Sequence, residues 1–507
     1  MLKKIDHILN GITMYRLVLY VLMAHALLSY ILSLLSIHPY RFLPMFVSSI
    51  VIVGACFIFN VLFSYLWKIP ANIESVYITA LIVFLIFAPP NNSLTIAFFG
   101  SAILVSFLAI LSKFILVRHR RHIFNPAAIG FVLLYFFTGQ TASWYVGGDW
   151  RLAVLTILCG FLVVRKIRRF DLVVPFFASV FALMFIISKG SGTDFLLMIW
   201  NSVIQSPLPF FAFIMLTEPF TAPASKRERI LYGSFTGFLY GLTLILGTKY
   251  ATPELALVIG NLFSFVISPK MRYLLTLKEK VAISKSTREL VFDSDKVINF
   301  KPGQYLEWNL NGNGADDRGN RRFFTIASSP TEKFIRLGVK FYERPSTFKS
   351  SLFLLKPGDK IFAGELSGDF ILPSEKKKLA FVAGGIGITP FRSMLKYMSD
   401  TGQKWDVVLF YSNKTKDDIA YEEEINRYEK SVGVKVVHVL SFPHIAPLFI
   451  AERGPLDEEM IIKHCSDYRE RIFYVSGPQA MVQSIKRKLI KMQLQLKQIK
   501  TDYFPGL

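Results

Sequence analysis

Residues 379–398, LAFVAGGIGITPFRSMLKYM, combine residue types and spacing that can do chemistry. Four apolar residues, Leu379 to Val382, run into Gly384, Gly385, Gly387, Thr389 and Pro390; Phe391, Met394, Leu395 and Met398 then recur at helical spacing. The pattern predicts a strand, a glycine turn and a helix. Glycines let backbone N–H groups approach a pyrophosphate, and the helix N-terminus adds the positive end of its dipole. Pro390 suits the first helical turn, where its missing N–H costs nothing. The plain alternative is a tight turn with no ligand. A second string lies upstream: Arg322, Phe323, Phe324, Thr325. An arginine can fork onto a flavin pyrophosphate, a flat ring can pack on an isoalloxazine, and a hydroxyl can reach the flavin N5 edge. Its plain alternative is an aromatic strand with an exposed arginine. A third group closes the predicted strand 405–413, where Ser412 and Lys414 stand without an immediate carboxylate. Serine and lysine suit a 2′-phosphate, hence NADPH, while Asp417 and Asp418 keep the ribose diol of NADH open.

These groups need elements to hold them, and the composition shows two kinds. The chain has 507 residues, too many for one core, and 52% of them are hydrophobic. Mean hydropathy is +0.41, which places part of the chain in a membrane. The net charge of +22 would suit nucleic acid, but the basic residues cluster in short loops between apolar runs. That is a membrane-topology pattern and argues against a nucleic-acid partner. Cys56, Cys159 and Cys465 are scattered, so they build no disulfide framework, zinc site or iron–sulfur cluster. The N-terminus lacks the small-residue cleavage site of a removable signal peptide.

Apolar runs predict spans near 12–36, 43–66, 73–88, 95–117, 124–140, 150–164, 171–188, 194–216, 229–247 and 252–268. With Lys3 and Lys4 inside, the inside loops carry Arg118, Arg120, Arg121, Arg165, Lys166, Arg168, Arg169, Lys226, Arg227 and Arg229. The outside loops carry only Arg41, Arg151, Lys189 and Lys249. The asymmetry places both termini in the cytoplasm. About ten helices can form two inverted sets of five. Ala88-Pro89-Pro90-Asn91-Asn92 in one half then answers Thr217-Glu218-Pro219 in the other, and Asn125-Pro126 answers the span holding Asn261. Proline-broken segments at matching places point to a midplane site lined by freed backbone, so Asn125, Pro126, Glu218, Pro219 and Asn261 are its candidates.

Three strings in this half carry a resemblance: HIFNPAAIGFVLLYF (122–136), FAFIMLTEPFTAPASKRERILYGSFTGFLYG (211–241) and ELALVIGNLFSF (254–265). They resemble the family of membrane proteins shared by the sodium-translocating NADH:quinone reductase and the Rnf electron-transport complex, over about 1–270. The resemblance implies a flavin-carrying ten-helix domain in a bacterial inner (cell) membrane, often with FMN esterified to the threonine of an S-G-A-T stretch. Here the nearest string is Thr138-Gly139-Gln140-Thr141, with Gln140 replacing alanine, and Thr193 is a second candidate. A noncovalent second flavin, FMN or riboflavin, and a bare quinone pocket stay open. So does a heme reading, because His25 and His38 lie 13 residues apart, about 20 Å along a helix. The second histidine pair that stacked hemes need is missing.

After Met271 apolar runs shorten, period-2 alternation appears and turn residues multiply, as in Lys301-Pro302-Gly303. Residues 271–373 are expected as an antiparallel β-barrel and 374–507 as an α/β nucleotide-binding domain, both cytoplasmic. Arg322 to Thr325 resembles the R-x-Y-[ST] signature of the ferredoxin–NADP reductase family, with Phe324 in place of tyrosine. Gly477-Pro478-Gln479-Ala480-Met481 resembles its G-P-x-x-M turn. The resemblance covers about 275–507. It implies FAD contacts from Arg322, Phe323, Phe324 and Thr325, further phosphate contacts from Ser346 and Thr347, and pyrophosphate contacts from Gly384, Gly385, Gly387, Thr389 and Pro390. It also implies nicotinamide contacts from Gly477 and Pro478, and a terminal aromatic, Tyr503 or Phe504, over the flavin.

Together these readings predict a membrane-bound flavin oxidoreductase. It passes electrons from NADPH or NADH through FAD to an acceptor in or across the membrane: a second flavin, a quinone or a carrier protein. Thr325 is the side chain expected to tune the reacting flavin atom. The rival reading is a redox-linked cation transporter with Glu218 and Asp149 as its ionisable groups.

Overall fold

The structure is a computed structural model that describes residues 5, 9, 11–68, 73–90, 94–118, 121–246, 251–268, 271–310, 321–342, 345–441 and 450–504. Lys3, Lys4, Asn91, Asn92, Arg120 and Lys249 lie outside the described residues. The chain divides into two compact units, Met1–Lys270 and Met271–Leu507.

The first unit is helical. Its main helices among the described residues are α1 (Met14–Leu34), α2 (Phe42–Trp67), α3 (Ile73–Ile86), α4 (Ile96–Ile115), α5 (Pro126–Thr138), α6 (Trp150–Ile167), α7 (Phe170–Ser191), α8 (Phe195–Ile204), α9 (Leu208–Met215), α10 (Lys226–Leu246) and α11 (Pro253–Ile267). Among the described residues α1, α2, α4 and α7 are long and apolar enough to cross a membrane, while α3, α5 and α11 are shorter apolar helices. Outward faces carry Leu43, Ile58, Val174 and Leu196, all more than half exposed, as lipid contact requires and water would penalise.

The expected single span 194–216 is instead two helices, α8 and α9, bent by 65°. Ser206-Pro207-Leu208-Pro209 explains the break. Proline donates no hydrogen bond and pushes the residue before it out of helical geometry. Ser206 partly repairs the gap, its hydroxyl accepting from the Leu208 N–H at 3.2 Å.

Helix pairings repeat between the two halves. α2 packs on α4 as α7 packs on α10, α4 on α5 as α10 on α11, and α1 on α3 as α6 on α9. Across the halves α1 meets α6, and α5 meets α11. The α5–α11 seam carries the two asparagines read from the sequence.

The second unit begins with a curled antiparallel sheet, a half-barrel. Its strands are β1 (Arg272–Ala282), β2 (Thr287–Ser294), β3 (Tyr305–Asn309), β4 (Arg321–Thr325), β5 (Ile335–Lys340) and β6 (Lys360–Ser367), in the order β4-β3-β6-β1-β2-β5. Alternating burial along β1 puts Leu275 and Leu277 in a core that Leu290 and Phe292 of β2 join and Trp308 and Leu337 close. One helix, α12 (Thr347–Leu354), follows β5.

The chain then alternates strand and helix: β7 (Leu379–Gly384), α13 (Thr389–Asp400), β8 (Val407–Asn413), α14 (Glu422–Ser431), β9 (Lys435–Leu440), β10 (Glu452–Arg453), α15 (Glu458–His464), β11 (Ile472–Pro478), α16 (Gln479–Lys491) and β12 (Ile499–Phe504). The sheet is parallel throughout, ordered β10-β9-β8-β7-β11-β12. Strand β7 is buried along its whole length, as a central parallel strand covered on both faces must be. Strand order reverses between β7 and β11, which opens a crevice at their carboxyl ends.

Candidate functional site

The glycine turn stands at that reversal. Gly385 to Ile388 form a tight 3-10 turn leaving β7, and α13 starts at Thr389 with Pro390 in its first turn. The turn rests directly on β11. A side chain at Gly387 would place its Cβ 2.5 Å from the Ser476 carbonyl oxygen, so glycine alone fits there. Gly477 and Pro478 end β11 on the other side of the crevice, and Pro478 pairs in register with Phe504. Ser412 lies beside Gly384 in the ladder, at the end of β8, with Lys414 exposed beyond it. The sequence reading passed over Ser476. Its side chain is fully buried at the crevice, and its hydroxyl meets no partner among the described residues. Its one signal was its place just before Gly477-Pro478.

The edge strand β4 holds the second group. Phe324 stacks on Phe348 of α12 with centroids 5.8 Å apart, and the Arg322 guanidinium lies 5.4 Å over the same ring. Ser346 caps α12, its hydroxyl accepting from the Lys349 N–H, and Thr347 is the first helical residue. A cation and a helix N-terminus therefore converge, which suits a pyrophosphate. Phe323 is half exposed and meets Tyr305 edge-on. Thr325 is buried, and its hydroxyl has no partner among the described residues. An orphaned buried hydroxyl costs free energy unless something else bonds it. These residues fit an FAD.

Strand β4 runs on into a segment gripped by α13. Arg392 donates to the Ala327 carbonyl at 3.2 Å, and the Ser393 hydroxyl to the Ser328 carbonyl at 2.6 Å. Arg392 also forks onto Glu332 and reaches Glu424 at 3.0 Å. Nearby, Glu289 takes Arg336 at 2.5 Å and the Tyr421 hydroxyl at 2.9 Å. None of these groups stood out in the sequence, because each partner lies on a different element. They tie the strand bearing Thr325 to the helix bearing the glycine turn.

Asp418 belongs to the same seam. It bonds Lys340 at 2.8 Å and accepts from Thr415 and Ser286, so its carboxylate is already engaged within the protein. Burial pushes this carboxyl up, but the Lys340 ammonium outweighs burial and holds it below the usual carboxylate range. A depressed folded pKa adds stability that is complete above the unfolded value, about 3.9, and lost as pH falls through the folded one. Acid titration of unfolding should therefore show a steeper low-pH limb in the native chain than in Asp418→Asn, and equal limbs would remove this linkage.

The membrane candidates also come together. The Asn125 backbone N–H donates to Asn261 Oδ1 at 2.8 Å, and Asn125 Nδ2 donates to Glu218 Oε2 at 2.9 Å. Asn261 Nδ2 donates to the Tyr232 hydroxyl at 2.8 Å. His122 Nε2 lies 2.6 Å from Glu218 Oε1. Pro126 opens α5, whose N-cap is Asn125, and Pro219 follows Glu218 in the non-helical stretch between α9 and α10. Asp149 is set apart from this group, as the N-cap of α6 paired with Arg151 at 3.1 Å. Thr138, Thr141 and Thr193 are exposed, and the Thr138 hydroxyl bonds back to the Leu134 carbonyl at 2.9 Å. Both ring nitrogens of His25 are engaged, at 2.7 Å from the Val21 carbonyl and 2.7 Å from the Thr156 hydroxyl, which leaves neither for a heme iron.

Comparison with known proteins follows the same division. Residues 137–273 match the NQR2, RnfD, RnfE family, and residues 381–487 match the oxidoreductase NAD-binding domain. The glycine betaine monooxygenase reductase subunit of Pseudomonas aeruginosa is 26% identical over 224 residues, covering 43% of this chain and 60% of that protein. A flavohemoprotein of Bacillus cereus is 27% identical over 225 residues, covering 42% and 55%. The chain thus spans little more than half the length of these relatives. Among solved structures, the flavohem-like FAD/NAD-binding domain of nitric oxide dioxygenase from Vibrio cholerae O1 biovar El Tor is 17% identical, with TM-score 0.41 over 46% of this chain and 98% of that one. The chain joins a multi-pass membrane unit matching the NQR2, RnfD, RnfE family to an FAD/NAD-binding module like that of ferredoxin reductases.

Proposed function

We propose that the protein is a membrane oxidoreductase that takes electrons from NAD(P)H on FAD and delivers them to an acceptor in or across the membrane. The observation that carries this reading is the crevice between β7 and β11, where a glycine turn with no room for a side chain at Gly387 rests on the backbone of Ser476, whose side chain is buried. When bound, the flavin supplies hydride acceptance and one-electron release. The chain's own residues bind and orient. Arg322, Ser346 and Thr347 hold phosphate, and Phe323 and Phe324 flank the ring; the Phe504 side chain, expected over it, lies outside the described residues. Thr325 directs its hydroxyl at the reacting edge. Gly384, Gly385, Gly387, Thr389 and Pro390 receive the nicotinamide pyrophosphate, with Gly477 and Pro478 at the nicotinamide.

NADPH is the favoured donor. Ser412, beside Gly384 at the end of β8, and Lys414 after it are residue types that suit a 2′-phosphate, and Asp418 is engaged by Lys340, which makes it a poor partner for a ribose diol. The acceptor is a second flavin, a quinone or a carrier protein, and the membrane is a bacterial inner membrane with both termini in the cytoplasm.

Purification in mild detergent tests this reading. The full chain should carry releasable FAD and oxidise NADPH faster than NADH with an artificial acceptor. Absence of both FAD and turnover would end the proposal. Thr325→Val should keep FAD but slow its reduction about tenfold, the worth of one hydrogen bond. Stopped-flow bleaching of the flavin measures it.

A further inference from the structure

The membrane unit holds a polar group that the electron route leaves unused. Glu218 sits in the break between α9 and α10, mostly buried, and both carboxylate oxygens already meet nitrogen: His122 Nε2 at 2.6 Å and Asn125 Nδ2 at 2.9 Å. Next to it is a cavity of about 40 Å³, lined by Tyr15, Ser75, Thr79, Asn125, Glu218 and Phe220 among others. One water needs roughly 10–15 Å³ of such space, so the cavity has room for a few waters. A flavin or quinone needs pockets of about 300–1,000 Å³.

We propose that Glu218 and His122 form a proton-binding site in the membrane unit, reached through this cavity. Three observations favour a proton over a metal cation. A metal ion needs several oxygen ligands, and on Glu218 it would compete with the nitrogen that each carboxylate oxygen already meets. Among the described residues no cluster of His, Cys, Asp and Glu could hold a metal. The short His122–Glu218 contact needs only one proton between two groups that each can carry it.

The setting is fixed from several sides. Asn125 holds Glu218 from the start of α5 and is itself held by Asn261 of α11, whose amide reaches Tyr232 of α10. Lys113 of α4 bonds the Ser75 hydroxyl at 3.0 Å at the cavity wall, and both Lys113 and Tyr232 lie within electrostatic reach of Glu218. An ionisable group kept at such depth, beside a proline-broken helix and a small wet cavity, is the arrangement that loads and releases a charge.

The site rests on the proposed electron route only for what drives it: a proton taken up on the Glu218 carboxylate, passed from His122, offsets an electron arriving in the membrane unit. The proton comes from water and returns to water, so no further reactant is needed.

Infrared difference spectra of the full chain in detergent, recorded on acidification with no nicotinamide added, test the site apart from electron transfer. The native chain should show a carboxylic-acid C=O band that shifts in D2O. Glu218→Gln should lose that one band and keep the rest. His122→Gln should keep the band but move the pH at which it appears. The band should be the same in sodium and potassium salts. A Glu218→Gln spectrum identical to the native one would overturn the proposal, as would a band that sodium alone suppresses. Because the protein is read at rest, failure here leaves the NAD(P)H–FAD reading standing, and the reverse also holds.

Discussion

Replacing Gly387 with valine should lower NADPH-driven flavin reduction at least 100-fold while FAD remains bound. The added Cβ would stand 2.5 Å from the Ser476 carbonyl and 2.7 Å from the Gly477 backbone. Neither neighbour can retreat. Ser476 belongs to β11, which pairs with β7 from Ile472–Leu379 through Ser476–Ala383. The turn must therefore lift off β11 and carry its N–H groups away from the pyrophosphate. A 100-fold loss corresponds to about 2.8 kcal/mol, the scale of two charge-assisted hydrogen bonds. Gly385 provides the contrast. Its φ is +53°, yet an added Cβ meets nothing within 4 Å. Gly385→Ala should then cost only the left-handed backbone penalty, about 1–2 kcal/mol, without closing the cradle. Steady-state kcat/KM for both variants, with FAD content measured on the same samples, separates the two mechanisms. If Gly387→Val keeps kcat/KM within a few-fold of native, the crevice is not where the nicotinamide binds.

What the sequence revealed was short-range. Gly384 to Pro390 declare a turn because glycine, proline and the following apolar spacing all act within one loop, and the structure puts that turn between β7 and α13. Arg322 to Thr325 could be read for the same reason, as one strand of alternating side chains. Asn125, Glu218 and Asn261 were each marked by a proline or by a polar side chain in an apolar run, but only the fold showed that they touch. Asn125 and Asn261 are 136 residues apart, and His122 and Glu218 are 96 apart. Nothing in the residues around His122 pairs it with a carboxylate. The break inside 194–216 was written in Pro207 and Pro209, yet hydropathy alone carried the run across them. Arg392 escaped notice altogether. In sequence it is a basic residue on an amphipathic helix, and its burial follows from Glu332 and Glu424, 60 and 32 residues away.

Arg392 accordingly carries the second large expectation. It is 2% exposed and contacts Glu332, Glu424 and the Ala327 carbonyl. Glu332 in turn accepts from the Ser329 N–H at 2.7 Å and pairs with Arg336 at 3.1 Å, so one guanidinium anchors the whole segment after Thr325. Arg392→Met should cost about 3–5 kcal/mol, because it takes the cation from Glu424 and leaves Glu332 with Arg336 alone. Arg392→Lys should recover only part of this, since a point charge cannot fork across two oxygens and also reach a carbonyl. The double variant Arg392→Met with Glu424→Met should be more stable than Arg392→Met alone, because Glu424 is the carboxylate that loses its cation, whereas Glu332 keeps Arg336. Urea unfolding of the full chain in detergent, followed by release of flavin fluorescence, gives all three values. The kinetic consequence has a different signature from lost binding. With the half-barrel released from α13, the nicotinamide and Thr325 are no longer held in one geometry, so flavin reduction should slow more than NADPH affinity falls. An Arg392→Met protein with native stability and native reduction rate would show that the ion network is surface ornament and that other contacts set the distance between the two cofactors.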